Sequence, residues 1–332
     1  MISDKNSSDR KKSEDLTSSI KMKRLGKVFA VIGGARDVGA ATVKELGKNL
    51  VRGGERGIVY FTSRPENMYC AKIFEEKLRR EFCNNSVTFR ASELDIGSRW
   101  SIENFQRKFK TRHGYLDIVI NNAAVYRPPD EVSNDFSIVE RIVKANHLGT
   151  KLLTKNLLPL MSEDSKMIFI SSHLSEFHSG SFYPGMNQDD LDALMEAFIL
   201  SFKDGTYDTE LDLPPCLYSV SKRALNEYTP LLQEYVDVEY AKIGISVNAI
   251  CPGTKHYKMR NLPPEEIISD EEAGKIIINL ATRKKMPKGQ VFWHTGILMS
   301  DRKAIRDTVA ETVGYSPWAR NRKRFLSEPY KK

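Results

Sequence analysis

The 332-residue sequence predicts an α/β fold, a mostly parallel seven-stranded sheet that is doubly wound, with helices on both faces. Three observations predict it. Seven short apolar runs alternate with amphipathic segments of helical length, the pattern of repeated strand–helix–strand units. The runs are nearly continuous in apolar residues, as befits strands buried on both sides. The first run leads into a glycine-rich turn, GGARDVG at 33–39, of the kind that presents backbone N–H groups at a helix N-terminus.

In chain order the strand runs are VFAVI (28–32), IVYFT (58–62), VTFR (87–90), DIVIN (117–121), MIFIS (167–171), SVNAI (246–250) and QVFW (290–293). The helical stretches between them include Ala71–Phe82, Ser101–Arg112, Phe136–Leu160 and Ser221–Ile243. Residues 1–25 are rich in Ser, Lys and Asp without apolar periodicity and read as a disordered polar tail. Residues 26–300 read as one Rossmann-type domain, and 301–332 as a basic C-terminal tail.

One stretch breaks the alternation: residues 176–215 hold nine Asp/Glu and a single Lys. Within it, Asn187 can cap a helix, and Asp189 and Asp190 fall in the first turn, where the dipole favours anions. Leu191, Leu194, Met195, Phe198, Ile199 and Phe202 follow at helical spacing on one face. The segment reads as an inserted helix, serving equally well as a structural addition or as a cover over the site.

The net charge of +8 sits in the tails. Residues 1–26 carry +3 and residues 315–332 carry +5, leaving 38 charges of each sign between them. A nucleic-acid groove needs its charge on the folded body, so a nucleic-acid partner is not expected. The four cysteines (Cys70, Cys83, Cys216, Cys251) form no CxxC pair, which points to a reduced, cytoplasmic setting. No apolar run is long enough for a membrane span, and the first 26 residues have no secretory pattern. The six histidines lack metal-ligand spacing, so no metal is expected.

The chemistry is concentrated in YSVSK, Tyr218 to Lys222. Residues at i and i+4 project from one helix face. An ammonium near a phenol favours the phenolate, which suits Tyr218 to act as a general acid toward a carbonyl oxygen. Ser172 closes the fifth strand run at the carboxyl edge, where doubly wound sheets collect ligands; Ser171 competes for the same role. Asn146, in KANHLGT, completes the candidate set.

With these residues in hand, the chain resembles the short-chain dehydrogenases/reductases, and within them the monomeric NADPH-dependent carbonyl reductases. The matching pieces run from about Lys27 to Gly296 and include GGARDVG, FTSR, ELDI, LDIVINNAA, KANHLGT, NLLPLM, ISS, YSVSK, SVNAICPG and EEAGKIIINLA. The resemblance implies a catalytic tetrad of Asn146, Ser172, Tyr218 and Lys222, with Asn146 holding a water that relays protons to Lys222. It also implies that Tyr218 and Lys222 contact the nicotinamide side of the cofactor. Gly33, Arg36, Val38 and Gly39 would hold the pyrophosphate, Asp95 and Ile96 the adenine, and Asn122, Pro252 and Gly253 the rest of the cleft. The insertion between Ser172 and Tyr218 is a carbonyl-reductase feature that implies a monomer acting on a small-molecule carbonyl substrate.

Cofactor choice follows from charge. An NAD enzyme places an acidic residue after the second strand to bind the ribose 2′-hydroxyl. Here Ser63 and Arg64 stand at that place, with Arg36 in the first turn, a set that suits a 2′-phosphate and hence NADP(H). The substrate pocket is expected to be lined by Ser172, His173, Leu174, Thr254 and Met259. His173, Lys255, His256 and Lys258 suggest a substrate with some negative charge, or else a pair of lysines that only face water.

Three departures from the family pattern support a second reading, a cofactor-binding pseudoenzyme or interaction protein. Asp37 replaces the middle glycine of the turn, Ala124 replaces the last glycine of NNAG, and Tyr257 stands where a threonine holds the carboxamide. A carboxylate about 5 Å from one phosphate charge, at an effective dielectric of about 20, is repelled by about 3 kcal/mol. Unrelieved, that weakens binding roughly hundredfold.

Overall fold

Lys27–Ile32 forms β1, and alternation along it builds a core on each side of the sheet. Val28, Ala30 and Ile32 point into one cluster of buried residues, Phe29 and Val31 into the other. A strand with apolar residues on both faces must lie between two layers of helices. The computed structural model describes residues 26–83, 86–126, 135–177, 182–183, 185–206, 211, 213, 217–253, 268–296 and 298.

Six further strands follow: β2 (Gly57–Ser63), β3 (Val87–Glu93), β4 (Leu116–Asn121), β5 (Met161–Ile170), β6 (Ser246–Ile250) and β7 (Gln290–Phe292). They assemble in the order β3-β2-β1-β4-β5-β6-β7, and every ladder between them is parallel. The order reverses between β1 and β4, so a crevice opens beyond their carboxyl ends. Gly33, Asn122, Ser171 and Cys251 are the first residues past β1, β4, β5 and β6, and all four sit on that rim.

One face carries α1 (Asp37–Arg52), α2 (Met68–Glu81) and α8 (Asp270–Ala281). Their buried residues, such as Leu46, Leu78 and Ile277, join Phe29, Phe61 and Ile168. The other face carries α3 (Arg99–Arg112), α4 (Phe136–Val143), α5 (Thr150–Leu157) and the long α7 (Leu217–Glu239). Phe105, Ile142, Leu153 and Val220 pack there with Phe169 and Val247.

Three expected boundaries are corrected. The helix expected over Phe136–Leu160 is interrupted: Lys144–Gly149 is a π-helical turn, and Leu158–Leu160 closes as a short 3-10 turn. The turn ends in close contact with the loop after β3: a Cβ on Gly149 would lie 2.0 Å from the carbonyl oxygen of Ile96. The extra residue in the turn re-aims the side chains that follow it. β5 begins six residues before the apolar run, and α7 begins at Leu217, so Tyr218 lies in its first helical turn.

The insertion contains α6 (Gln188–Asp204). Asn187 accepts from the amides of Asp189 and Asp190, and Asp190 accepts from the Asn187 amide, a reciprocal cap. Leu191, Met195 and Phe198 are fully buried, and Phe202 is packed against the same core. Asp192 accepts from Lys151 Nζ at 2.5 Å and bonds Nε2 of the buried His147 at 2.7 Å. Burial holds His147 below the usual imidazole range, so it is neutral and donates through the Nε2–H tautomer. α6 is therefore part of the core, which rules against a hinged cover built from this helix.

Phe198→Ala should cost about 3–5 kcal/mol of stability. Urea unfolding followed by both circular dichroism and tryptophan fluorescence should show one coincident, shifted transition, because α6 shares its core with the sheet.

Candidate active site

The glycine turn owes its shape to close backbone approach. Gly33 has φ +74°, and a Cβ there would lie 2.8 Å from Ala123 Cα. Its amide donates to Thr62 Oγ1 at 2.9 Å, and its carbonyl accepts from Asn122 Nδ2 at 2.8 Å. A Cβ on Gly39 would lie 2.2 Å from the Gly33 carbonyl oxygen. Asn122 thus ties the exit of β4 to the exit of β1. Arg36, the N-cap of α1, supplies no side-chain cap to the helix, and Val38 is half-buried in its first turn.

Asp37 has φ +52°, so this position does require the left-handed backbone that a glycine takes without strain. Asp tolerates that region better than most residues. Its side chain is 62% exposed and rests 4.0 Å from Arg36 Nε. A carboxylate in water feels a dielectric near 80, which brings the repulsion from a phosphate at about 5 Å down to roughly 1 kcal/mol.

Beyond β2, Ser63 is half-buried and Arg64 pairs with Glu66 at 2.9 Å. Asp95 receives the Gly97 amide at 2.9 Å, and its own amide donates to Ser101 Oγ at 2.9 Å. Ile96 is buried, with its carbonyl against Gly149. At the far side, Pro252 is buried and Gly253 has φ +105°, where a Cβ would meet Ile268 Cδ1 at 2.4 Å. Thr254 and Met259, with Lys255, His256, Tyr257 and Lys258, lie outside the described residues.

Asn146 sits in the π-helical turn and is buried. Its Oδ1 accepts from the Val125 amide at 2.7 Å, while Nδ2 donates to the Val125 carbonyl at 2.9 Å and to Ser221 Oγ at 3.0 Å. Both Nδ2 hydrogens are thereby committed to structure, leaving Oδ1 with one further lone pair. Ser221 lies in α7 between Tyr218 and Lys222, so the clamp braces the helix that carries both.

Lys222 is buried, and its Nζ donates to the Ile170 carbonyl at 2.5 Å. The same Nζ lies 5.5 Å from the centre of the Tyr218 ring. Burial lowers its pKa to about 8. The two serines differ in burial and in partners. Ser171 is buried and donates to Asn226 Oδ1 at 2.5 Å, whereas Ser172 is partly exposed, its Oγ accepting from the Leu174 amide at 3.3 Å. Ser219 Oγ donates to the Leu174 carbonyl, another tie between α7 and the end of β5.

His173 pairs its ring edge-on with Trp293 at 6.3 Å. Burial, with His294 nearby, lowers its pKa to about 4. It carries no positive charge near neutral pH, which removes one support for an anionic substrate. Two contacts were not legible in the sequence. The Ile170 carbonyl has no side-chain signature, and Tyr126, packed against Tyr218, is just the second residue past NNAA.

The comparisons match the chain to oxidoreductases. The short chain dehydrogenase family model matches residues 27–184. Over that stretch the chain is similar to short-chain dehydrogenases/reductases, and the relatives it matches include carbonyl reductases. Carbonyl reductase (NADPH) 3 of Homo sapiens is 28% identical over 246 residues, covering 70% of this chain and 83% of that protein. (+)-Neomenthol dehydrogenase of Arabidopsis thaliana is 24% identical over 295 residues, covering 80% and 95%. Among solved structures, menthone neomenthol reductase from Mentha piperita superposes with a TM-score of 0.62 at 22% identity, over 82% of this chain and 99% of that one. A short chain dehydrogenase from Burkholderia cenocepacia in complex with NADP gives 0.59 at 17% identity, over 82% and 97%.

Asn146→Ala should strip the partners from the Val125 amide and carbonyl and cost about 2–3 kcal/mol. The check is the thermal midpoint of the purified variant, expected several degrees below the parent.

Proposed function

We propose that the protein is an NADPH-dependent carbonyl reductase, converting an aldehyde, ketone or quinone to an alcohol. The observation that carries the reading is the buried Lys222, its Nζ 5.5 Å from the centre of the Tyr218 ring and anchored on the strand that ends beside Ser172. A buried ammonium is costly unless it is used or neutralised, and here it faces a phenol at the carboxyl edge of the sheet.

The residues present fit a dinucleotide. The turn at Gly33 and Gly39 leaves no room for side chains, so backbone can approach a pyrophosphate at the N-terminus of α1. No acidic residue ends β2; Ser63 and Arg64 stand there, and Arg36 is exposed across the turn. Guanidinium pairs well with phosphate oxygens, although a 2′-phosphate must draw Arg64 away from Glu66. The human relative named for NADPH and the neighbour solved with NADP support the same choice.

When bound, the nicotinamide supplies the hydride. Tyr218 gives its phenolic proton to the carbonyl oxygen, and Ser172 steadies that oxygen through its hydroxyl. Lys222, protonated below about pH 8, favours the phenolate that Tyr218 becomes. Asn146 braces α7 through Ser221, keeping Tyr218 and Lys222 in register. The proposal includes action as a monomer in the cytoplasm, since α6 covers the α4 and α7 surfaces with its own apolar face.

A fluorescence titration should show NADPH binding in the micromolar range and at least about tenfold ahead of NADH, a difference of about 1.4 kcal/mol. Arg64→Ala should abolish that preference, and Asp37→Gly should tighten NADPH roughly threefold to tenfold by relieving about 1 kcal/mol. Absence of binding by either nucleotide at millimolar concentration would overturn the reading in favour of an interaction protein.

Tyr218→Phe should lower kcat about a thousandfold with the fold intact. In the parent protein, carbonyl reduction should decline as pH rises past about 8, where Lys222 loses its proton. Steady-state rates from pH 6 to 10 on a panel of carbonyls check both.

A further inference from the structure

The segment after β4 carries a second tyrosine to the candidate site. Tyr126 packs edge-on against Tyr218, with ring centres 4.8 Å apart and planes at 79°. Its backbone is placed by the residue before it. Val125 is bonded through both its amide and its carbonyl to the side chain of Asn146. Asn146 in turn donates to Ser221, one turn along α7 from Tyr218. The contacts close a circuit: Tyr126 on Tyr218, Tyr218 by helix to Ser221, Ser221 to Asn146, and Asn146 back to Val125.

Tyr218 is thus constrained by two different groups. Lys222 Nζ stands 5.5 Å from its ring centre, and the Tyr126 ring meets it edge-to-face. Tyr126 is itself 38% exposed, so packing the core is not its whole use. A proton donor must hold its O–H within hydrogen-bond reach of the acceptor. A displacement of about 1 Å at a reacting group can cost up to a hundredfold in rate. Edge-to-face pairs have a preferred geometry, so this contact fixes the plane of a ring that would otherwise turn about its side-chain bonds.

We infer that Tyr126 is a positioning residue for Tyr218, acting through its ring to hold the proton donor in a productive orientation. The inference rests on the reductase reading. Tyr126→Ala should lower kcat about tenfold on a short straight-chain aldehyde while KM stays within about twofold. Tyr126→Phe, which keeps the ring, should stay within about twofold of the parent in both. Tyr126→Leu keeps the bulk without the ring and should behave as the Ala variant does.

A second readout needs no activity. In protein carrying fluorotyrosine, the Tyr218 fluorine resonance is identified by its loss in Tyr218→Phe. The pH midpoint of its titration, which a lost ring current leaves in place, should move in Tyr126→Ala and hold in Tyr126→Phe. An unmoved midpoint, an unchanged kcat in the Ala variant, or a Phe variant as impaired as the Ala variant would overturn the inference. A parent protein that reduces no carbonyl would overturn the functional reading instead, and the fluorine titration would then decide by itself whether Tyr126 fixes the ring.

Discussion

The candidate site hangs on the three hydrogen bonds of one buried amide. Asn146 takes the Val125 amide, gives to the Val125 carbonyl and gives again to Ser221. An asparagine side chain that bonds both polar groups of one residue copies the pairing of a neighbouring strand, extending order past the end of β4. It reaches that position because the chain from α4 to α5 passes through a π-helical turn, pressed against Ile96 at Gly149.

From that clamp the rest of the rim follows. Asn122, three residues before Val125, bonds the Gly33 carbonyl and so couples the same segment to the glycine turn. Ser221 lies in the turn of helix that also bears Tyr218 and Lys222. Lys222 reaches across to the Ile170 carbonyl, and Ser219 to that of Leu174, so α7 is stitched to the end of β5 on either side of Ser172. Three strand ends and one helix are thereby held as a unit. Such a frame can keep a proton donor and a carbonyl in register without a closing lid.

The inserted helix belongs to this frame as well. Asp192 receives hydrogen bonds from Lys151 and from His147, the neighbour of Asn146 in the π-helical turn. The Lys151 bond ties α6 to α5, and the bond to the neutral, buried His147 ties α6 to the turn that carries the clamp. The acidic character of the insertion therefore has one identifiable use at a buried site, in addition to its first-turn cap residues.

The sequence by itself determined the architecture. Seven two-sided apolar runs have no other economical home than a parallel sheet between helix layers. The inserted helix was equally legible, because its cap residues and apolar stripe are local. Tyr218 and Lys222 could be paired because i and i+4 share a face in any helix. What only the tertiary structure decided depends on contacts between distant segments. That the Ser171 hydroxyl is engaged depends on Asn226, 55 residues away from Ser171. The charge state of His173 turned on burial, the use of Asn146 on a π-helical turn, and the effect of Asp37 on how far its carboxylate stands in water. Spacing along a chain reports which side chains share a face. It does not report what stands opposite them, and it is the opposite wall that sets burial, protonation and the direction of each hydrogen bond.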